Sequence, residues 1–120
     1  MGWHFDGCES VVSIMLQKAE AGGAFEYAPF IRHDDDENYS AVQALFEGSD
    51  EAAGLAKEVP MDAGTLNVFR GNRSLHRVTT VTSSARPRVM ALLAYDKQPG
   101  MKWSEEVREM QTKGLEVPPS

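Results

Sequence analysis

Short β-type segments divided by glycine and proline turns constrain the fold of this chain more than any other feature. Residues 11–17 begin with a β-branched pair, residues 75–82 are rich in threonine and valine, and residues 86–95 hold the longest apolar run. Such residues favour pleated surfaces, and turn signals at residues 22–23 and 71–74 separate them. Two shorter strands are predicted at residues 24–27 and 65–69. Many short strands of this kind predict a mainly β fold, a sandwich or a barrel.

Two helices interrupt this pattern. Asn38 is the predicted N-cap of a helix that runs through Glu47, since apolar residues share one face and Gly48 follows at the C-cap position. A C-terminal helix is predicted over residues 103–113, with acidic residues in its first turn and Gly114 as its cap. The chain therefore combines a β scaffold with one inserted helical loop and one terminal helix.

Size and charge exclude several classes of protein. The 120 residues predict one domain, 1–120. The net charge of −6 argues against nucleic acid as a partner, and the apolar run at residues 89–94 is too short to cross a membrane. Cys8 is the single cysteine, so no internal disulfide marks an oxidising compartment, and we expect Cys8 to be a small core residue. The N-terminal residues show no apolar signal segment, and we expect a cytoplasmic protein.

Three residues suggest a metal site. His4 and Asp6 are two positions apart, so both side chains point the same way on an extended backbone. His76 lies 72 residues later, near the start of another predicted strand. Two histidines and one carboxylate on a rigid β scaffold form the facial triad of non-haem Fe(II) oxygenases, which leaves coordination positions open. A single histidine or H-x-D pair is more typical of structural packing than of a metal site. The combination of all three residues is what indicates a metal site.

Two arginines suggest an anion site beside the metal. Arg86 and Arg88 lie two positions apart on the next predicted strand and so face the same side. An arginine there can hold a carboxylate bidentately while a metal holds the other end of the same small molecule. A 2-oxo dicarboxylate has this geometry.

Taken together, residues 3–6 (WHFD), 22–27 (GGAFEY), 64–80 (GTLNVFRGNRSLHRVTT) and 86–95 resemble the Fe(II)- and 2-oxoglutarate-dependent dioxygenases. The similarity is strongest to the prolyl-hydroxylase-like branch, near the group that hydroxylates or halogenates free amino acids. It implies a double-stranded β-helix, a cupin-like jelly roll.

The resemblance also implies the parts of an active site. It implies Fe(II) ligands His4, Asp6 and His76, with 2-oxoglutarate and O2 as cosubstrates. It implies Arg86 as the partner of the distal 2-oxoglutarate carboxylate, with Arg88 as the alternative. The carboxylate of Asp6 implies hydroxylation rather than halogenation of a small molecule, for which a free amino acid is one candidate.

The family carries further sequence before its H-x-D motif, whereas here the motif begins at His4. We therefore expect a fragment, or a chain completed by a partner, and a homodimer that covers exposed strand edges. The alternatives are a non-catalytic cupin-like binding module and, less well supported, a zinc hydrolase. The acidic run at residues 34–37 is most typical of a solvated loop, although it could also line the mouth of a pocket and attract a substrate amine.

Overall fold

The structure, a computed structural model, describes residues 2–112, and the side chains of residues 2–109. It is mainly β, as predicted, with antiparallel sheets and few helices, an arrangement compatible with a β-sandwich. The strands are β1 Ser10–Gln17, β2 Ala21–Gly22, β3 Phe25–Ala28, β4 Lys57–Val59, β5 Leu66–Phe69, β6 Leu75–Val78, β7 Val81–Ser83 and β8 Val89–Tyr95, and the α-helices are α1 Tyr39–Glu47 and α2 Glu105–Thr112.

The first sheet has the strand order β5-β1-β8. Its central strand, β1, alternates strictly along its first six residues: Val11, Ser13 and Met15 are buried, while the residues between them are partly exposed. This period of two is what a strand with one covered face requires. Ser13 lies opposite Leu92 and Val11 opposite Ala94 on β8, so the inner face of β1 continues across onto β8.

The second sheet has the order β4-β3-β6. An isolated antiparallel bridge between His4 and His76 adds the N-terminal segment beside β6. Met15 of the first sheet packs with Phe25 of the second and with Met61, and these buried side chains hold the two sheets face to face. The short pair β2-β7 forms a separate ribbon.

The predicted helical loop follows β3, and it ends at β4, a strand that the sequence did not predict. Helix α1 buries Leu45 in a core with Ala28, Ile31 and Leu75, and a 3-10 turn at Asp50–Ala52 follows. Gly48 ends α1 with φ of 65°, a conformation that glycine adopts without strain. The expected N-cap bond is not made, because Asn38 has left-handed backbone geometry and its side-chain amide donates to the Ile31 carbonyl instead.

Two predicted strands have different limits in the structure. The strand predicted over residues 75–82 divides, since β6 pairs with β3 whereas β7 pairs with β2. The strand predicted over residues 86–95 begins at Val89, because Pro87 has no N–H to donate and interrupts the ladder. Helix α2 occupies most of the predicted range 103–113, while residue 113 and Gly114 lie outside the described residues.

No helix within residues 2–112 is both long enough and apolar enough to cross a membrane.

Candidate metal centre

The bridge between His4 and His76 is the basis of the candidate site. The His4 amide donates to the His76 carbonyl at 3.0 Å, and the His76 amide donates back at 3.1 Å. Residues paired in this way project their side chains from the same face of a sheet. The imidazole centroids are accordingly only 4.3 Å apart. The pairing explains why two residues 72 positions apart in sequence meet in space.

Asp6 completes the group. It is two residues beyond His4 on the same segment, and its amide donates to the Gly71 carbonyl at 2.9 Å. One Asp6 carboxylate oxygen lies 3.3 Å from His76 Nε2, and the other lies 3.7 Å from His4 Nε2. One donor atom from each residue lies within 4.8 Å of the other two. The structure therefore brings together all three residues that the sequence predicts as ligands.

Both histidines are oriented for metal binding. The Nδ1 atom of His4 donates to the Gly2 carbonyl, and Nδ1 of His76 donates to the Ser74 carbonyl, each at 2.8 Å. A neutral imidazole held in this tautomer keeps its Nε2 lone pair free, and both Nε2 atoms face Asp6. Burial lowers the pKa of His4, which favours that neutral form.

Gly71 makes room for the Asp6 carboxylate. A Cβ at position 71 would lie 2.0 Å from Asp6 Oδ2 and 2.7 Å from Asp6 Cβ. No side chain fits at that distance, so a glycine at this position is a steric condition for the observed Asp6 rotamer. Residues 71–74 were predicted as a turn, but nothing in the sequence indicates that Gly71 lies against Asp6.

The three ligands open onto a cavity of about 440 Å³ between the two facing sheets. This is within the usual range for small-molecule sites. Phe25 and Phe69 pack against the His76 ring, with centroid separations of 5.8 and 4.8 Å. These contacts help to bury His76, which is 4% exposed. Ser13 and Trp103 also line the cavity, although nothing in their sequence context marked them.

The two candidate arginines have different positions. Arg88 lines the cavity, and its Nε donates to the Gly23 carbonyl at 3.0 Å. Partial burial lowers its pKa, although a guanidinium remains charged, so Arg88 is a partly desolvated cation that an anion can neutralise. Arg86 is exposed, lies in the bend before Pro87, and is not among the described residues that line the cavity. Of the two arginines expected as partners of a distal carboxylate, Arg88 is therefore the one that lines the cavity.

Two other sequence interpretations can be compared with the structure. Cys8 is 2% exposed, which confirms it as a core residue, and burial raises the pKa of its thiol. Arg77, next to His76 on β6, projects to the opposite face, as alternation along a strand implies; there it pairs with Glu26 at 2.6 Å and covers the Trp3 ring.

The donor set suits a divalent transition metal. Two neutral imidazoles and one carboxylate are borderline ligands that bind iron, cobalt, nickel and zinc. Because they converge from one side, positions facing the cavity stay open for other molecules.

A comparison with models of protein families and with curated protein sequences finds no match to this chain.

Proposed function

We propose that this protein is an Fe(II)- and 2-oxoglutarate-dependent oxygenase that hydroxylates a small molecule. The observation that carries the proposal is the convergence of His4, Asp6 and His76 at the end of a cavity that also contains Arg88. A facial triad needs a second binding element at a distance, and Arg88 provides a cation for the far carboxylate of a 2-oxo acid.

We also propose that the fold is the double-stranded β-helix, the cupin-like jelly roll. Apart from the β2-β7 ribbon, the chain crosses repeatedly between the facing sheets: β1 belongs to the first, β3 and β4 to the second, β5 to the first, β6 to the second and β8 to the first. This alternation supports a jelly roll.

When bound, Fe(II) with 2-oxoglutarate and O2 supplies C–H hydroxylation, in which one oxygen atom enters the product and the other enters succinate as CO2 leaves. The chain contributes orientation and exclusion of water. The Gly2 and Ser74 carbonyls fix the two imidazoles, and Gly71 leaves the carboxylate its position. Phe25 and Phe69 help to bury His76.

Anaerobic titration tests this function. Addition of 2-oxoglutarate to the Fe(II)-loaded protein should produce a weak visible charge-transfer band. His76→Ala should abolish that band, because it removes a buried ligand. His33→Ala is the control, since His33 is exposed beside the acidic loop and is not part of the ligand group.

Turnover separates the alternatives. Succinate formation in air that depends on His76 excludes a non-catalytic binding module. If the protein binds metal but gives neither the charge-transfer band nor succinate, the oxygenase hypothesis is wrong. The protein is then a binding module, or a fragment that requires a partner chain. Ester or amide hydrolysis with Zn²⁺ would support the hydrolase, which leaves Arg88 without a role.

A further inference from the structure

The charge of the cavity limits what can share it with the proposed cosubstrate. Outside the three metal ligands, the ionisable side chains among the described lining residues are Arg88 and Cys8. The wall formed by β8 and the segment before α2 is apolar, and it consists of Met90, Leu92, Ala94 and Trp103. Within the described lining, Asp6 is the sole carboxylate, and the metal requires it.

The acidic loop at residues 34–37 does not contribute to the described cavity lining. In the acidic loop, Asp34 pairs with Arg73 at 2.5 Å and Glu37 pairs with Arg32 at 3.5 Å. Neither acidic residue is among the described residues of the cavity lining. The structure therefore does not support the idea that the run at residues 34–37 lines a pocket mouth and attracts an amine.

We propose that the substrate presents an uncharged, apolar portion to the β8 wall, and that free amino acids are not the substrate class. This inference rests on the proposed function for the identity of the site, but the selectivity belongs to the cavity itself. An ammonium that loses water against this wall gains no counter-charge in return, whereas an alkyl group gains by leaving water. Because Arg88 binds the cosubstrate in the proposed function, the apolar β8 wall remains for the substrate and favours a hydrocarbon group.

Trp103 offers a direct reporter. The sequence has two tryptophans, so Trp3→Phe leaves Trp103 as the only indole, and it lines the cavity. Zn²⁺ is added to engage Asp6 and succinate to engage Arg88, so that neither charge is free, and the variant is then titrated with three probes that share one isobutyl group: 3-methylbutan-1-ol, 3-methylbutylamine and leucine. We expect the alcohol to shift the Trp103 emission saturably, and the amine and leucine to bind at least about 10-fold more weakly, because their charge stays unpaired.

Two neighbouring leucines provide a matched pair of variants. Leu92 lines the cavity and Leu93, the next residue on β8, does not; both are already exposed, at 67% and 45%. Leu92→Asp should weaken alcohol binding and strengthen amine binding by about 2- to 5-fold, the size expected for a counter-charge at a largely exposed position. Leu93→Asp should leave both unchanged.

The outcomes are decisive for the inference alone. Equal affinity for the amine and the alcohol, no response to the alcohol, or identical effects of the two aspartates would overturn it. The methyl signal of Met90 in the unaltered chain gives the same readout if Trp3→Phe fails to fold. These titrations contain neither Fe(II) nor 2-oxoglutarate. A negative result in the oxygenase assay therefore does not affect their interpretation, and a negative titration does not affect the interpretation of the oxygenase assay.

Discussion

Replacement of Gly71 by alanine should damage the metal site without changing any ligand. The added Cβ would lie 2.0 Å from Asp6 Oδ2 and 2.7 Å from Asp6 Cβ and Cγ, whereas ordinary contacts begin near 3.4 Å. The oxygen therefore has to retreat by more than an ångström. Rotation of the carboxylate alone does not relieve the contact with Cβ, and the bond from the Asp6 amide to the Gly71 carbonyl, at 2.9 Å, holds the two backbones together.

The expected loss in metal affinity is on the order of 10- to 100-fold, the usual effect of disturbing a residue that orients a ligand. This corresponds to about 1.4–2.7 kcal/mol of binding free energy. Calorimetric titration with Co(II), which replaces Fe(II) without oxidation by air, measures it directly. Gly54→Ala is the matched control, because a Cβ there meets no atom within 4 Å and the backbone φ is not positive.

A double-mutant cycle separates this mechanism from a general loss of stability. Asp6→Gly removes the atoms with which the added methyl group would collide, so combining it with Gly71→Ala should cause no further loss of Co(II) affinity. Thermal unfolding of each metal-free variant shows whether the fold is intact. If folded Gly71→Ala binds Co(II) as tightly as the unaltered chain, or if the two losses add, the steric explanation is refuted.

Three further expectations concern the anion site, the core and the assembly. Arg88→Ala should weaken 2-oxoglutarate binding by about 1.5–3 kcal/mol in calorimetry at constant metal concentration, because a charge-assisted pair is lost. Arg86→Ala should leave that binding unchanged, and the opposite result would exchange the roles of the two arginines. Leu75→Ala should lower the free energy of unfolding in urea by about 2–5 kcal/mol, since Leu75 is 1% exposed, whereas Leu66→Ala, at 58% exposed, should change it by less than about 0.5 kcal/mol. Strand β8 pairs with β1 alone among the described strands and carries no charged residue. We therefore expect a two-fold homodimer through the free edge of β8. A single 13.2 kDa species in sedimentation equilibrium would contradict this expectation.

The ligand group could be predicted because it depends on local geometry. Alternation along a strand is enough to place His4 and Asp6 on one side, and this held in the structure. The same reasoning grouped Arg86 with Arg88 on the assumption that the strand continued through Pro87, whereas β8 begins at Val89 and Arg86 lies in a bend outside it. The alternation of side chains predicts their direction only where the strand keeps its hydrogen bonds to a neighbouring strand. A proline interrupts those hydrogen bonds, so the prediction does not extend past it.

Other features depend on contacts distant in sequence and left no local signal. Lys57–Val59 is polar and short, and it forms a strand because β3 offers it a partner. Ser13 lies in an apolar stretch and lines the cavity only through the pairing of β1 with β8. The clearance around Gly71 is visible only when Asp6 is placed beside it. Tertiary pairing decides each of these, so sequence pattern alone could not.

The attachment of His4 has a consequence for folding. Its segment joins the second sheet through an isolated bridge rather than a ladder, so two of the three ligands depend on two hydrogen bonds to His76 and one to Gly71. Short attachments of this kind open at a lower free energy than the sheets behind them.

A bound metal closes that opening, since it ties His4 and Asp6 to His76 in a single coordination sphere. Free metal at about 100 times its dissociation constant favours the closed segment by about 2.7 kcal/mol. Amide hydrogen exchange at His4 and Asp6 would slow by about the same factor of 100. The ion would then also hold residues 4–6 against the second sheet, in addition to the proposed role in the reaction.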